Sequence, residues 1–245
     1  MSEMSEVEHL QYSEEYTNHE VFRELKRMQE FYDCVSTTCF PCLPLGTRLV
    51  ANHISYIFCS LYGTLDSIQT LLELGRINDA IVLVRKYYDD VLVAIYLEVL
   101  RIDQFDWVEG KIVKDIDVWL NGKHRIPSIQ KILSTLKKSN STKELYPLFK
   151  WKNEFQDYRK YLDDSVHCNS FKSVLLNCNT LYNLDREKEL QEIQKVVRDI
   201  FTMHLAFLII LDNMSSNEFF NSERWSGFTE HPSGRKKHRA PSENE

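Results

Sequence analysis

Two short stretches hold side chains whose types and spacing suit acid–base chemistry. The first is YLDDSVHCN, 161–169, which sets Asp163, Asp164, Ser165 and His167 within five residues. A neutral imidazole accepts a proton near physiological pH, and a carboxylate beside it fixes its tautomer and raises its basicity. On a helix, Asp163 stands at i−4 and Asp164 at i−3 from His167, so either could orient the ring of a general base. The plainer reading is a polar helix end with His167 as a capping group. The second stretch is AIVLVRKYYDDVLVAIYLEVL, 80–100, in which Arg85 and Asp89 are four residues apart and share a helix face. One reading is a guanidinium presented to a cleft, where it can grip a phosphate or carboxylate in a bidentate fork. The other is an intrahelical salt bridge at the edge of the core. Flanked by AIVLV and VLVAIYL, these charges must be paired or must face something polar.

The elements that position these residues read as helices. NHEVFRELKRMQEFYD, 18–33, places Val21, Leu25, Met28 and Phe31/Tyr32 at helical spacing. CVSTTCFPCLPLG then reads as a loop, with two prolines and a glycine. Thr47 to Leu74 is helical, and Gly75 is a stop signal. Asn78 or Asp79 suits the cap of the next helix, which is apolar on most of its circumference and therefore central. Pro127 and Ser128 suit the start of SIQKILSTLKK. Tyr146 to Val166 reads as a further helix. Asp185 suits the cap of a last long helix, with acidic residues in its first turn. No internal repeat and no strand pair stand out. The fold class expected is all-α, a bundle of roughly six to eight helices. Residues 1–46 read as an N-terminal helical extension and Cys/Pro loop, 47–213 as the bundle, and 214–245 as a polar, disordered tail.

Composition agrees with long helices: 245 residues contain only seven Gly and six Pro, too few for a turn-rich β fold. The formal net charge of −6 argues against a strongly cationic surface that coats nucleic acid. The first residues, MSEMSEVEHLQYSEEY, have neither the basic nor the apolar region of a signal peptide. The longest strongly apolar run, LAFLIIL, is far short of a membrane span. A cytoplasmic protein with reduced thiols and no membrane contact is expected. Cys34, Cys39 and Cys42 stand at C-x4-C-x2-C, and a zinc knuckle would need Cys59 or His53 as fourth ligand. Ordinary loop or buried cysteines are the simpler reading, so neither a metal nor a cofactor is expected. GRKKHR, 234–239, reads as a solubilising tail, and the aromatics of FYD and KYY as core.

The stretch GRINDAIVLVRKYYDDVLVAIYL, followed by YLDDSVHCN and a final amphipathic helix, resembles the HEPN-type helical bundles over roughly residues 50–213. It is nearest to a divergent branch with an Arg, three residues and an acid on a buried helix, then a short polar run closing in Val-His. Arg85 and Asp89 match the first signature, and Asp164 with His167 the second. The resemblance implies a homodimer and, as in many members, a metal-independent endoribonuclease of a bacterial toxin or antiviral defence system, with an antitoxin or other protein partner. The family's catalytic signature is Arg, four to six residues, then His. Arg159 precedes His167 by eight positions, which departs from it. Arg48 with His53 and Arg198 with His204 do keep the spacing, but residues six apart diverge by about 120° on a regular helix.

On the catalytic reading the RNA supplies its own 2′-hydroxyl nucleophile. His167 takes the proton, and Arg85 steadies charge on the phosphorane-like transition state. The competing class is a non-catalytic module that dimerises or binds a partner, with Arg85, Asp89 and His167 as a structural network. A third is a nucleotide-binding regulator without turnover.

Overall fold

The computed structural model describes residues 13–39, 53–104, 114–123, 125–149, 151, 153–167, 169–178 and 186–221, with side chains described at all but 38, 39 and 213–221 of these. Asp185, expected as a helix cap, lies outside them, as does the tail segment GRKKHR. Among the described residues every regular element is helical, and the expected all-α bundle is what forms. A single turn, α1 (Glu14–Thr17), precedes α2 (Glu20–Cys39), α3 (His53–Glu73), α4 (Ile77–Gln104), α5 (Lys114–Leu120) and α6 (Ile129–Lys138). A 3-10 turn (Tyr146–Leu148), α7 (Glu154–Val166), α8 (Phe171–Leu175) and α9 (Arg186–Asn221) complete it. No helix among the described residues is long and apolar enough to cross a membrane.

α4 is the axle of the bundle. It packs against α3, α5, α6, α7 and α9. Every residue from Ala94 to Leu100 is buried, so this stretch is enclosed on all sides, with Glu98 its one charged member. α2 buries Val21, Leu25, Met28 and Tyr32, one stripe at helical spacing, against α3 and α9. Fully buried side chains such as Leu25, Leu61, Leu65 and Ile95 each contribute about 1.5–3 kcal/mol relative to exposure. The segment expected as an N-terminal extension therefore supplies part of the core.

The turn between α3 and α4 follows from Gly75. Its φ of 70° is left-handed, and the Gly75 N–H donates to Leu72 O while the Arg76 N–H donates to Leu71 O, both at 2.8 Å. These two bonds satisfy the last carbonyls of α3 and reverse the chain. Elsewhere the boundaries differ from expectation. α2 continues through the cysteines to Cys39 instead of ending at Asp33. The single helix expected over 146–166 is two elements. The first is a 3-10 turn carrying Pro147 at its start, Phe149 after it is extended, and the Trp151 indole N–H donates back to Tyr146 O at 2.7 Å.

Candidate functional site

Arg85 sits on the face of α4 that meets α7. Its Nε donates to Asp163 Oδ1 at 2.6 Å, and its Nη1 forms an ion pair with Asp89 Oδ2 one turn along α4. The guanidinium is only 12% exposed, against 36% for Asp89 and 40% for Asp163. Burial works against its charge, but the two carboxylates outweigh burial and hold Arg85 above its usual pKa. Arg159, one turn before Asp163 on α7, brings its Nε to 3.6 Å from Asp163 Oδ2. The cluster thus sets two guanidinium groups against two carboxylates. The Arg85 guanidinium also lies 6.0 Å from the centre of the Tyr88 ring. The neighbouring charges on α4 are paired too, with Lys86 on Asp90 and on Thr64 Oγ1 at 3.2 Å.

His167 is the C-cap of α7. Its backbone N–H donates to Asp163 O at 3.1 Å, and its side chain is exposed. The structure brings Asp163 to Arg85, with His167 one turn further along α7. It records no hydrogen bond from the imidazole to Asp163 or Asp164 among the described residues. Asp163 is turned to Arg85, and Asp164 Oδ1 accepts from Asn169 Nδ2 at 3.1 Å. The chain after α7 is anchored to the start of α4, which fixes this corner. Asn177 Nδ2 donates to Asp79 Oδ1 at 2.7 Å, and the Asp79 N–H donates back to Asn177 Oδ1 at 3.1 Å. The Ile77 N–H donates to Leu176 O at 3.1 Å. α4 begins at Ile77, so Asn78 and Asp79, expected as caps, lie inside its first turn, and the Asp79 N–H is satisfied by the remote Asn177 instead, which sequence spacing cannot reveal.

The other Arg/His pairs do not form clefts. Arg198 is on the exposed side of α9 and is engaged by Glu24, through Nε at 3.1 Å and through Nη2. His204 is sealed in the core, where its Nδ1 is 2.7 Å from Tyr32 Oη, itself 2.9 Å from Tyr87 Oη. Burial drives His204 down to a pKa of about 3, so it is neutral at physiological pH. No local pattern in the sequence announces this three-member chain, because its members are on three different helices. Arg48 lies outside the described residues. His53 is buried, with Nε2 3.8 Å from Glu98 Oε1. Glu98 also accepts from Arg101 Nε at 2.9 Å.

Cys42 and the side chain of Cys39 lie outside the described residues, while Cys34 and Cys59 are exposed. No group of three or more His, Cys, Asp or Glu among the described residues could hold a metal ion. Among the described residues, cavities adjoin α4 at three places, the smallest, of about 210 Å³, between Tyr96 and Leu100 of α4, Trp119 of α5 and Arg125. One, of about 380 Å³, is framed by His53 and Tyr56 of α3, Asp90 of α4 and Trp119 of α5. The third, of about 330 Å³, lies beside the Arg85 cluster between α4, α6 and α7 and is walled by aromatic rings. Sequence reasoning missed Arg159 as a member of both the cluster and this cavity. The i,i+4 spacing of Arg159 and Asp163 was the available signal. Comparison with protein-family models, curated proteins and solved structures found no match.

Proposed function

We propose that the protein is a non-catalytic, HEPN-like dimerisation module in which Arg85, Asp89 and Asp163 clamp α4 to α7. The observation that carries this reading is the engagement of Arg85: a side chain only 12% exposed already faces two carboxylates. A phosphate arriving there would meet both negative charges. The surface next to the clamp supports a contact role. Val166, Phe171 and Val174 are 42%, 73% and 56% exposed and follow one another around the α7–α8 corner. Single exposed apolar side chains are ordinary on a surface, and three so close in the chain give this corner an apolar character that a contact would bury. A second copy of the chain is the occupant this reading assigns to that corner.

One observation favours a second reading, a metal-independent endoribonuclease of a defence or toxin-type system. His167 is exposed and one helical turn from the carboxylate that touches Arg85. Two measurements decide between them. Light scattering on the purified chain is expected to give a dimer, and Phe171→Asp a folded monomer. RNA incubated with the protein in excess chelator is expected to stay intact. A monomeric wild type removes the dimerisation reading. RNA cleavage that is lost in His167→Ala replaces it with the endoribonuclease.

A further inference from the structure

Opposite charges that meet elsewhere on α4 are spent on one another. Arg85 holds Asp89, Lys86 holds Asp90 and Arg101 holds Glu98. The cavity of about 210 Å³ further along α4 breaks this pattern. Asp115 of α5 and Arg125, in the segment leading to α6, both line it, yet no ion pair joins them. Neither side chain forms an ion pair or hydrogen bond with any other described residue. Both are exposed, so the cavity carries two unspent charges of opposite sign where it meets solvent. The remaining walls are mostly apolar, with Leu100 from α4, the Trp119 ring from α5 and Ile126 before α6. Tyr96 of α4 adds a hydroxyl that makes no hydrogen bond to a described residue. Burial, and after it the charge of Asp115, hold this phenol above its usual pKa, so it stays a neutral donor and acceptor.

We infer that this cavity binds a free α-amino acid with an apolar side chain, its carboxylate on Arg125, its ammonium on Asp115 and its side chain against Trp119. The charges require a zwitterion. A simple anion would be held by Arg125 and repelled by Asp115, and a simple cation the reverse. A guanidinium takes a carboxylate through two parallel N–H···O bonds. An ammonium has three donors, enough for Asp115 and the Tyr96 hydroxyl together. Size agrees, since drug-sized ligands occupy pockets of about 300–1,000 Å³ and this one is smaller. The apolar walls disfavour a charged side chain, which would lose water without gaining a partner. The other two cavities lack the paired charges. Asp90 in the first already holds Lys86, and no Lys or Arg lines that cavity. The aromatic cavity has Arg159 but no carboxylate in its lining. A peptide end presents only one of the two charges, so the free amino acid is the better match. The inference is independent of the dimerisation reading, since no lining residue belongs to α7 or α8.

The test is titration calorimetry of the full chain with leucine, valine and methionine, and with two leucine analogues that each lack one charge. Leucinamide keeps the ammonium without the carboxylate, and isocaproate keeps the carboxylate without the ammonium. Each analogue is expected to bind about tenfold more weakly than leucine, the worth of one charge-assisted contact. Arg125→Gln is expected to bring leucine down to the level of leucinamide, and Asp115→Asn down to the level of isocaproate. Both positions are exposed, so helical circular dichroism should stay unchanged in each variant. Free glutamate, with a third charge, is expected to bind more weakly than leucine. An analogue that binds as tightly as leucine shows that one charge suffices and overturns the proposal. So does leucine binding that survives both substitutions unchanged, or the absence of binding by all three apolar amino acids. A monomeric protein that still binds leucine removes only the dimerisation reading, and a dimer that binds none of them removes only this inference.

Discussion

Replacing Asp163 by Asn removes a charge from the Arg85 clamp and keeps its shape. A charge-assisted hydrogen bond contributes about 1.5–3 kcal/mol net, and a fully exposed ion pair about 0–1 kcal/mol. The contact falls between these limits, because Arg85 is 12% and Asp163 40% exposed. The amide oxygen of Asn can still accept from Nε, so the loss expected for Asp163→Asn is about 1 kcal/mol after discounting for solvent screening. Arg85→Met is more severe. It leaves Asp89 and Asp163 facing one gap without their shared cation, and should cost about 2–3 kcal/mol, less than the loss from breaking a fully buried pair. The double variant should then cost about 1 kcal/mol less than the sum of the singles. Urea unfolding followed by helical circular dichroism measures all three. Strict additivity, or an Asp163→Asn variant as stable as the wild type, would refute the clamp. Tighter binding of inorganic phosphate by Asp163→Asn would instead show Arg85 to be an anion site masked by its carboxylates.

Three further outcomes follow from the core. The folded pKa of His204 is about 3, below its unfolded value of about 6.5, so the unfolded chain takes up the proton first. Its contribution to stability is complete above pH 6.5 and declines as pH falls towards 3, by about 2 kcal/mol between pH 7 and pH 5. His204→Gln should remove that part of the slope, and a constant gap between variant and wild type across this range would count against it. Tyr32→Phe strips the bridge between Tyr87 and His204 and should cost about 2 kcal/mol in urea titration, because two buried polar groups lose their partner. Gly75→Ala places a side chain at φ 70° and should cost about 1 kcal/mol, visible as a lower thermal midpoint.

Much of this fold was legible because helix patterns are local. α4 could be placed at the centre from its near-continuous apolar sequence, and the Arg85–Asp89 pair from its i,i+4 spacing. What local spacing could not supply is the direction in which a side chain turns. Asp163 stands one turn before His167, yet its carboxylate faces Arg85, 78 residues away in the chain. Asn177 Oδ1 accepts the Asp79 N–H in the first turn of α4 across 98 residues. The Tyr32, Tyr87 and His204 chain spans three helices. The break before α7 falls at Phe149, whose extended backbone follows the Tyr146–Leu148 turn, and the surrounding apolar register concealed it.

The same geometry ranks the two arginines as anion sites. An anion arriving at Arg85 must displace a carboxylate held at 2.6 Å and add a third negative group beside Asp89 and Asp163 in a poorly solvated gap. Like charges at such range disfavour one another strongly. An anion arriving at Arg159 displaces only a loose 3.6 Å contact, and Asp163 keeps Arg85 as its partner afterwards. The exchange at Arg159 adds charge-assisted bonds, while at Arg85 an anion is crowded against two carboxylates. Arg85, the residue whose sequence context most suggests a phosphate clamp, is thus the poorer anion site. Arg159, 34% exposed and adjoining the aromatic cavity, is the better one.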